Sequence, residues 1–385
     1  MKNFPCKICF FGHKRIPSRE GGVEVVVEEL SVRLVKQGYD VTCFNRRGHH
    51  VSGAEFDGKI EKNFKGIHIR TVPSIDKKGL SAITSAFFST LMACFGNYRI
   101  VHIHAEGSAL FCFFLKLFRK KIIVTCHGLD HQRNGKWSRF ARKCILLGEK
   151  QAVKHADKII VLSHNIQNYF KTVYGRNTVF IPNGVNKPVL RKPKLIEQLY
   201  GLKRNSYFLF LGRIVTEKGI EYLIDAFMDI NTDKTLVIAG GSSDSQNFFN
   251  QIKHKAHSDK RIIFTGFIQG EILEELYSNA YVYVLPSDLE GMPLSLLEAM
   301  SYGNCCIISD IPESTEVVEN HALIFRKSDT NDLRKKLEYT LSHEEEVNKF
   351  KNEASEFICS KYNWDHVVER TIQLYEEKLH ESLND

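Results

Sequence analysis

Short β-branched runs alternate with helical stretches twice along this chain, and that rhythm constrains the fold more than any other feature. In the first half KICFFG, VTCFNR, IVHIH (100–104), KIIVTCHG (121–128) and KIIVLS (158–163) read as strands. Between the first two, apolar residues recur at helical spacing from Val23 to Lys36, and Gly38 supplies a stop. SALFCFFLKLF reads as a buried helix and 136–156 as a basic amphipathic one. The pattern restarts with strands at 207–212, 235–241, 261–266, 281–287 and 305–310, separated by helices at 218–230, 270–280 and 293–302. From about 329 onward only polar helices follow. Apolar strands that alternate with helices predict a mostly parallel sheet wrapped on both faces. The expectation is therefore α/β, with two doubly wound, Rossmann-like parallel-sheet domains. The stretch 182–206, with three prolines and a basic cluster, is the natural linker.

Charge divides the same way. Residues 1–190 carry 31 Lys and Arg against 13 Asp and Glu, a balance of +18, whereas 191–385 carry 22 against 32. A basic half points to an anionic partner, a membrane surface or a phosphate-bearing substrate, with a solvated basic face as the competing reading. The segment 116–143, KLFRKK followed by RNGKWSRFARK, mixes cations with Trp137 and Phe140 and suits an anionic membrane interface. No nucleic-acid-binding motif accompanies it. Residues 79–98 are uncharged, but their hydroxyls and glycines dilute them below a membrane span, so a buried helix is expected, with a membrane-dipping segment as the alternative. The N-terminal apolar run is too short and interrupted for a signal peptide. The ten cysteines fit reduced thiols in a cytoplasm better than a disulfide framework. Neither they nor the sixteen histidines suggest a metal site.

The chemistry concentrates in two segments. GRIVTEKG places Arg213 and Lys218 just beyond the strand ending at 212, and about seventy residues later PSDLEGMPLSLLEAMSYG holds Glu290 and Glu298. Cations suit a diphosphate that gains charge as it leaves, and spaced carboxylates suit the hydroxyls of a ribose and a sugar. Backbone N–H groups at Leu294 and Ser295 open the helix after Pro293 and favour an anion. In the first half Gly21 and Gly22 open a helix where a backbone can approach a phosphate or sugar, with a simple tight turn as the competing reading. The loop before them holds Lys14, Arg15 and Arg19. No dinucleotide glycine fingerprint is present. His127 ends a strand, where a ligand crevice lies, although a structural histidine is the alternative. His102 and His104 read as packing residues, and Asp130 as a weaker candidate on the acceptor side.

With GHKRIPSREGGVEVVVEELS near the start and GRIVTEKG and EGMPLSLLE later, nearly the whole chain resembles a retaining glycosyltransferase of family 4 with the GT-B fold. The opening motif resembles a bacterial surface-polysaccharide branch that includes rhamnosyltransferase-like members. That resemblance implies two domains facing across a cleft: an acceptor domain at 1–185, on which a C-terminal helix at about 365–385 packs back, and a nucleotide-sugar domain at 186–364. It implies that Arg213 and Lys218 stabilise the leaving diphosphate, that Glu298 binds the ribose, that Glu290 contacts the donor sugar and that His127 lies near the reacting sugar. Gly266, Phe267 and Ile268 would line the base pocket. Pro293 stands where many family members have Gly, which removes one backbone donor.

The expected activity is metal-independent hexosyl or deoxyhexosyl transfer from a nucleotide diphosphate-sugar to a saccharide acceptor, lipid-linked, in polysaccharide biosynthesis. No cofactor and no nucleic-acid partner are expected. The protein would be cytoplasmic, with peripheral contact at an anionic membrane through its basic half. Two other functions compete: a non-hydrolysing nucleotide-sugar epimerase of the same architecture, and a nucleotide-sugar-binding protein without catalysis.

Overall fold

A computed structural model describes residues 6–18, 21–48, 62–75, 77, 79–133, 137–242 and 246–381. Arg19 of the sequence-predicted loop, residues 134–136 and the last four residues lie outside them. The chain forms two units, one of residues 1–183 with 364–385 and one of 184–363.

The first unit runs β1 (Lys7–Phe11), α1 (Gly22–Lys36), β2 (Asp40–Arg46), β3 (Asn63–Phe64), β4 (Ile67–Val72), α2 (Leu80–Phe95), β5 (Ile100–His104), α3 (Cys112–Leu117), β6 (Lys121–Cys126), α4 (Arg139–His155), β7 (Lys158–Val161), α5 (His164–Tyr174) and β8 (Val179–Phe180). Its eight strands lie in the order β3-β4-β2-β1-β5-β6-β7-β8, parallel except for the short β3–β4 pair. Chain order reverses beside β1: β2 and β4 build outward on one side, and β5 returns on the other. Phe11, Phe44, Ile103, Val124 and Phe170 lie at the centre of a core closed to solvent. Each such side chain contributes roughly 1.5–3 kcal/mol.

The second unit runs α6 (Leu195–Tyr200), β9 (Tyr207–Leu211), α7 (Ile220–Met228), β10 (Thr235–Ala239), α8 (Gln246–Ala256), β11 (Ile262–Gly266), α9 (Glu271–Asn279), β12 (Val282–Leu285), α10 (Leu294–Ser301), β13 (Cys305–Ser309), α11 (Pro312–Val318), β14 (Leu323–Phe325), α12 (Thr330–Ser342) and α13 (Glu344–Lys361). The described part of the last helix, α14 (Trp364–Glu381), belongs to the first unit. There the buried Tyr375 hydroxyl meets His102 Nδ1 on β5 at 2.6 Å. The second sheet has the order β11-β10-β9-β12-β13-β14, with every pairing parallel. Its order reverses between β9 and β12.

Two readings of the sequence need correction. Helix α2 is not buried on its apolar side: Ser85, Ser89, Thr90, Ala86, Ala93 and Cys94 face inward, and Phe87, Leu91 and Phe95 are exposed. SALFCFFLKLF is not one buried helix but a 3₁₀ turn, Glu106–Phe111, followed by α3, whose Phe113, Phe114 and Leu117 are exposed. The proline-rich stretch 182–206 contains the boundary between the units, at 183/184, and its later part packs on the second unit. Arg191 binds Glu274 at 2.5 Å, and the Lys194 and Ile196 N–H groups both donate to the Glu275 carboxylate on α9.

Candidate active site

In an open parallel sheet, ligands bind beyond the carboxyl ends of strands where chain order reverses, because the two diverging loops leave a crevice there. Each unit has one such point, and most of the residues singled out from the sequence lie at one or the other.

In the second unit the point lies between β9 and β12. Arg213 follows β9, half-buried, and a 3₁₀ turn over Thr216–Lys218 leads to Gly219 and α7. The helix therefore begins two residues later than Lys218. Gly219 has φ +63°, and a Cβ there would stand 2.0 Å from the Pro286 carbonyl oxygen. Only glycine lets the two loops approach so closely. Next to this contact the Asp288 N–H donates to the Glu217 carbonyl at 2.9 Å. The Asp288 carboxylate accepts from Tyr222 and Ser328 hydroxyls at 3.1 and 2.8 Å.

This packing brings Lys218 and Glu290 into direct contact, Nζ to Oε1 at 2.5 Å, with side-chain exposures of 12% and 9%. Ser287 Oγ donates to the same Oε1 at 2.6 Å. Among the described residues Glu290 Oε2 accepts no hydrogen bond, so one oxygen of this carboxylate is spoken for and the other is open to a ligand. Leu294 and Ser295 form the first turn of α10, after Pro293. Two buried tyrosines hold that turn: Tyr283 donates to Ser295 Oγ at 2.8 Å, and Tyr277 to the Ser295 carbonyl at 3.3 Å. Tyr277 also donates to Glu298 Oε2 at 3.1 Å, fixing the half-buried carboxylate on its helix. Burial, then the Glu298 charge, pushes the Tyr277 hydroxyl well above its usual pKa, so it remains a donor. Neither tyrosine stands out in the sequence: Tyr283 sits in the apolar run YVYVLPS and Tyr277 on the amphipathic helix α9, so both read as core. Gly266, Phe267 and Ile268 lie at the end of the edge strand β11, half-buried, two strands away from β9.

Gly219→Ala is expected to cost about 2–3 kcal/mol, from a left-handed conformation and a forced separation of the loops. A thermal melt measures the loss, and turnover should fall with it because Lys218 is displaced from Glu290.

In the first unit the reversal lies between β1 and β5. Gly12, at φ +107°, lets the chain pass against the His104 backbone, whose carbonyl oxygen would stand 1.9 Å from a Cβ. His104 Nδ1 meets His127 Nε2 at 2.8 Å, and the rings of His102, His104 and His127 stack in sequence. His102 Nε2 contacts Thr125 Oγ1 at 2.7 Å. Burial lowers His127 to about 4 and His102 to about 3, and holds His104 well below 6.5. The stack is therefore neutral at neutral pH, and His127 can exchange hydrogen bonds but does not present a cation.

Beside it, buried His13 contacts Asn45 Oδ1 at 3.1 Å, and burial lowers its pKa to about 4. Gly21 caps α1 and Gly22 is its first residue. The Glu24 carboxylate accepts the Lys14 N–H at 2.8 Å, beside the helix opening. Burial disfavours its charge, but the Lys14 N–H bond and the Lys14 and His13 charges outweigh that and lower its pKa. A phosphate at this helix end would meet a resident carboxylate. Asp130 pairs with Arg133 at 2.8 Å. Glu106 and Glu149, which no motif in the sequence marks, are fully enclosed. Glu149 accepts from Tyr169 and Tyr174 at 2.8 and 2.5 Å.

Residues 20–187 match the family described as Glycosyltransferase Family 4, and residues 193–357 the one described as Glycosyl transferases group 1. The chain is 24% identical over 382 residues to an uncharacterized glycosyltransferase, MJ1607, of Methanocaldococcus jannaschii, spanning 93% of this chain and 95% of that one. It is 34% identical over 154 residues to the UDP-Gal:alpha-D-GlcNAc-diphosphoundecaprenol alpha-1,3-galactosyltransferase of Escherichia coli, 36% of this chain and 38% of that one. Among solved structures, Anabaena Alr3699/HepE in complex with UDP and glucose is similar at a TM-score of 0.79 and 15% identity, covering 97% of this chain and 100% of that one. At that identity the likeness speaks for the fold alone.

Proposed function

We propose that this chain, a GT-B glycosyltransferase with a family 4-like first half and a group 1 second half, moves a hexosyl or deoxyhexosyl group from a nucleotide diphosphate-sugar to a lipid-linked saccharide, with retained anomeric configuration. The observation that carries the reading is the Lys218–Glu290 pair beyond the β9/β12 reversal, flanked by Arg213 and the first turn of α10. Arg213, Lys218 and the α10 N–H groups stabilise the departing diphosphate. Glu290 Oε2 holds a donor-sugar hydroxyl, and Glu298, fixed by Tyr277, takes the ribose hydroxyls. The Gly266–Ile268 turn meets the base. His127 serves sugar hydroxyls as a neutral group.

In a front-face displacement the acceptor oxygen bonds to the anomeric carbon as the bond to the diphosphate breaks. The departing phosphate oxygen takes the acceptor proton. No enzymic nucleophile is needed, and the cations supply the charge that a metal supplies elsewhere, so transfer should persist in EDTA. The Escherichia coli galactosyltransferase, whose name includes UDP-Gal and an undecaprenol-linked acceptor, supports the donor class, the lipid-linked acceptor and a role in polysaccharide assembly. A lipid acceptor also favours contact with an anionic membrane.

The test is a panel of UDP-, GDP- and dTDP-sugars followed by NMR. Slow nucleotide release from one donor is expected, and Glu298→Ala should weaken that donor's binding about tenfold to a hundredfold, as for a charge-assisted hydrogen bond. A new epimer without nucleotide release would replace the transferase with an epimerase. Donor binding without turnover, even with acceptor present, would leave a binding protein.

A further inference from the structure

The first unit has a surface that the transfer chemistry does not use. Helix α2 carries no charge and turns Leu80, Phe87, Leu91 and Phe95 outward, with Phe95 74% exposed, while Phe88 and Met92 pack against the core. Its neighbour α3 does the same with Leu117 at 66%, and α4 exposes Phe140 at 63% and Leu147. The rings join into one face. Phe95 on α2 lies 5.2 Å from Phe118 just after α3, and Phe113 on α3 lies 5.7 Å from His155 at the end of α4. Soluble surfaces rarely leave so many contiguous apolar side chains in water.

The charge around this face has one sign. Residues 79–156 contain twelve Lys and Arg and three acidic residues. Of the three, Glu106 and Glu149 are enclosed and Asp130 is paired with Arg133. Lys116 is engaged by Asp157, and Lys120 by two backbone carbonyls. Among the described residues Arg119, Arg139, Arg142, Lys143, Lys150 and Lys154 are exposed and form no ion pair.

We infer that the α2–α3–α4 face is a membrane-docking surface, whose apolar side chains enter the acyl boundary of an anionic bilayer while the flanking cations rest on lipid phosphates. No described helix is long and apolar enough to cross a membrane, so α2 would lie in the interface plane. Stable attachment needs two signals, and both are present: inserted apolar residues and a polybasic rim. The charge pattern also argues against a second copy as occupant. A two-fold contact is self-complementary, so it would set these cations against their own copies. The purpose of this surface rests on the lipid-linked acceptor proposed above, but its existence does not.

Flotation of the full chain with two kinds of vesicle tests it, one of phosphatidylcholine alone and one also containing phosphatidylglycerol. Binding is expected on the anionic vesicles at low salt and only weakly on the neutral ones. Arg142→Glu with Lys143→Glu should weaken binding at least 25-fold at low salt, at roughly fivefold per lost charge near the surface. Phe95→Ser with Leu117→Ser should weaken it at every salt concentration. Circular dichroism should show both variants folded, and donor hydrolysis in solution should match the parent. Absence of binding to anionic vesicles at low salt would overturn the proposal. So would a concentration-dependent dimer that the Phe95 and Leu117 substitutions dissolve. Donor hydrolysis without vesicle binding would remove the surface and leave the transferase. Vesicle binding by a chain that turns over no donor would support the surface and count against the transferase.

Discussion

Replacing Lys218 by Met should lower turnover at saturating donor by about 10²–10³-fold, the range for loss of one well-placed donor to a developing oxyanion. The same change removes the buried partner of Glu290 and leaves Oε1 with only the Ser287 hydroxyl. An uncompensated carboxylate at 9% exposure costs about 1–3 kcal/mol, so the protein should also melt lower. These two effects can be separated. Glu290→Gln keeps an oxygen that can accept from Ser287 and Lys218, so it should lose less stability than Lys218→Met although the ammonium loses its counter-charge, while the loss of a charged contact to the sugar slows transfer. The double variant, Lys218→Met with Glu290→Gln, should recover stability relative to Lys218→Met alone, because no buried charge is stranded. It should recover no activity. Initial rates and thermal melts on the four proteins close this cycle. Full turnover in Lys218→Met would make the lysine a strut for Glu290 and remove it from the chemistry.

The pairing behind that prediction shows where sequence reasoning stops. Arg213, Lys218, Glu290 and Glu298 stand out in the sequence because GRIVTEKG and EGMPLSLLE put them in, or on the helix just after, the loops that follow two apolar strands. Their grouping was less legible, since the sequence assigned Lys218 to phosphate and Glu290 to sugar, and seventy intervening residues gave no hint of contact. Contact follows from β12 lying beside β9, a choice of neighbour that local periodicity does not encode. The histidines follow the same logic. His104 is in register with Thr125, so His127 is two residues further along the same side of the adjacent strand. Once β5 and β6 are neighbours, a contact between His104 and His127 is geometrically natural. Strand β4, IHIRTV, escaped notice because its burial alternates, unlike the continuous apolar runs that marked the central strands. The faces of α2 were misread for a different reason. Composition suggests burial, but a helix of Ser, Thr and Ala packs closely on a sheet through its small side, which turns Leu80, Phe87, Leu91 and Phe95 outward.

Acid should destabilise the first unit through its buried histidines. His13 and His127 titrate at about 4 and His102 at about 3 in the folded protein, lowered from 6.5 by burial. The folded state stays neutral while the unfolded chain takes up protons below 6.5. Their contribution is therefore complete above pH 6.5 and is lost as pH falls toward 4. Glu24, lowered in the fold, loses its contribution in the same direction. Glu106 opposes them: burial, then the Asp130 charge, raises its pKa, so its contribution is greatest in acid and fades as pH rises through the raised value. One carboxyl against several histidines leaves a net loss in acid, on the order of 5 kcal/mol across that window at 1.36 kcal/mol per unit and group, discounted for relaxation. The chain offers a clean probe, because both of its tryptophans, Trp137 and Trp364, belong to the first unit. Urea unfolding followed by their fluorescence should move to lower denaturant between pH 6.5 and 4.5. Far-UV circular dichroism, which also senses the helices of the second unit, should then show a transition that the fluorescence does not. His102→Gln should make the acid dependence shallower by removing one proton uptake, whatever it costs in absolute stability. The same values predict that activity keeps no titration near 6.5 arising from His127. A fluorescence midpoint that does not move between pH 6.5 and 4.5 would mean that the stacked imidazoles are hydrated or already charged, and a neutral His127 would have to be abandoned with them.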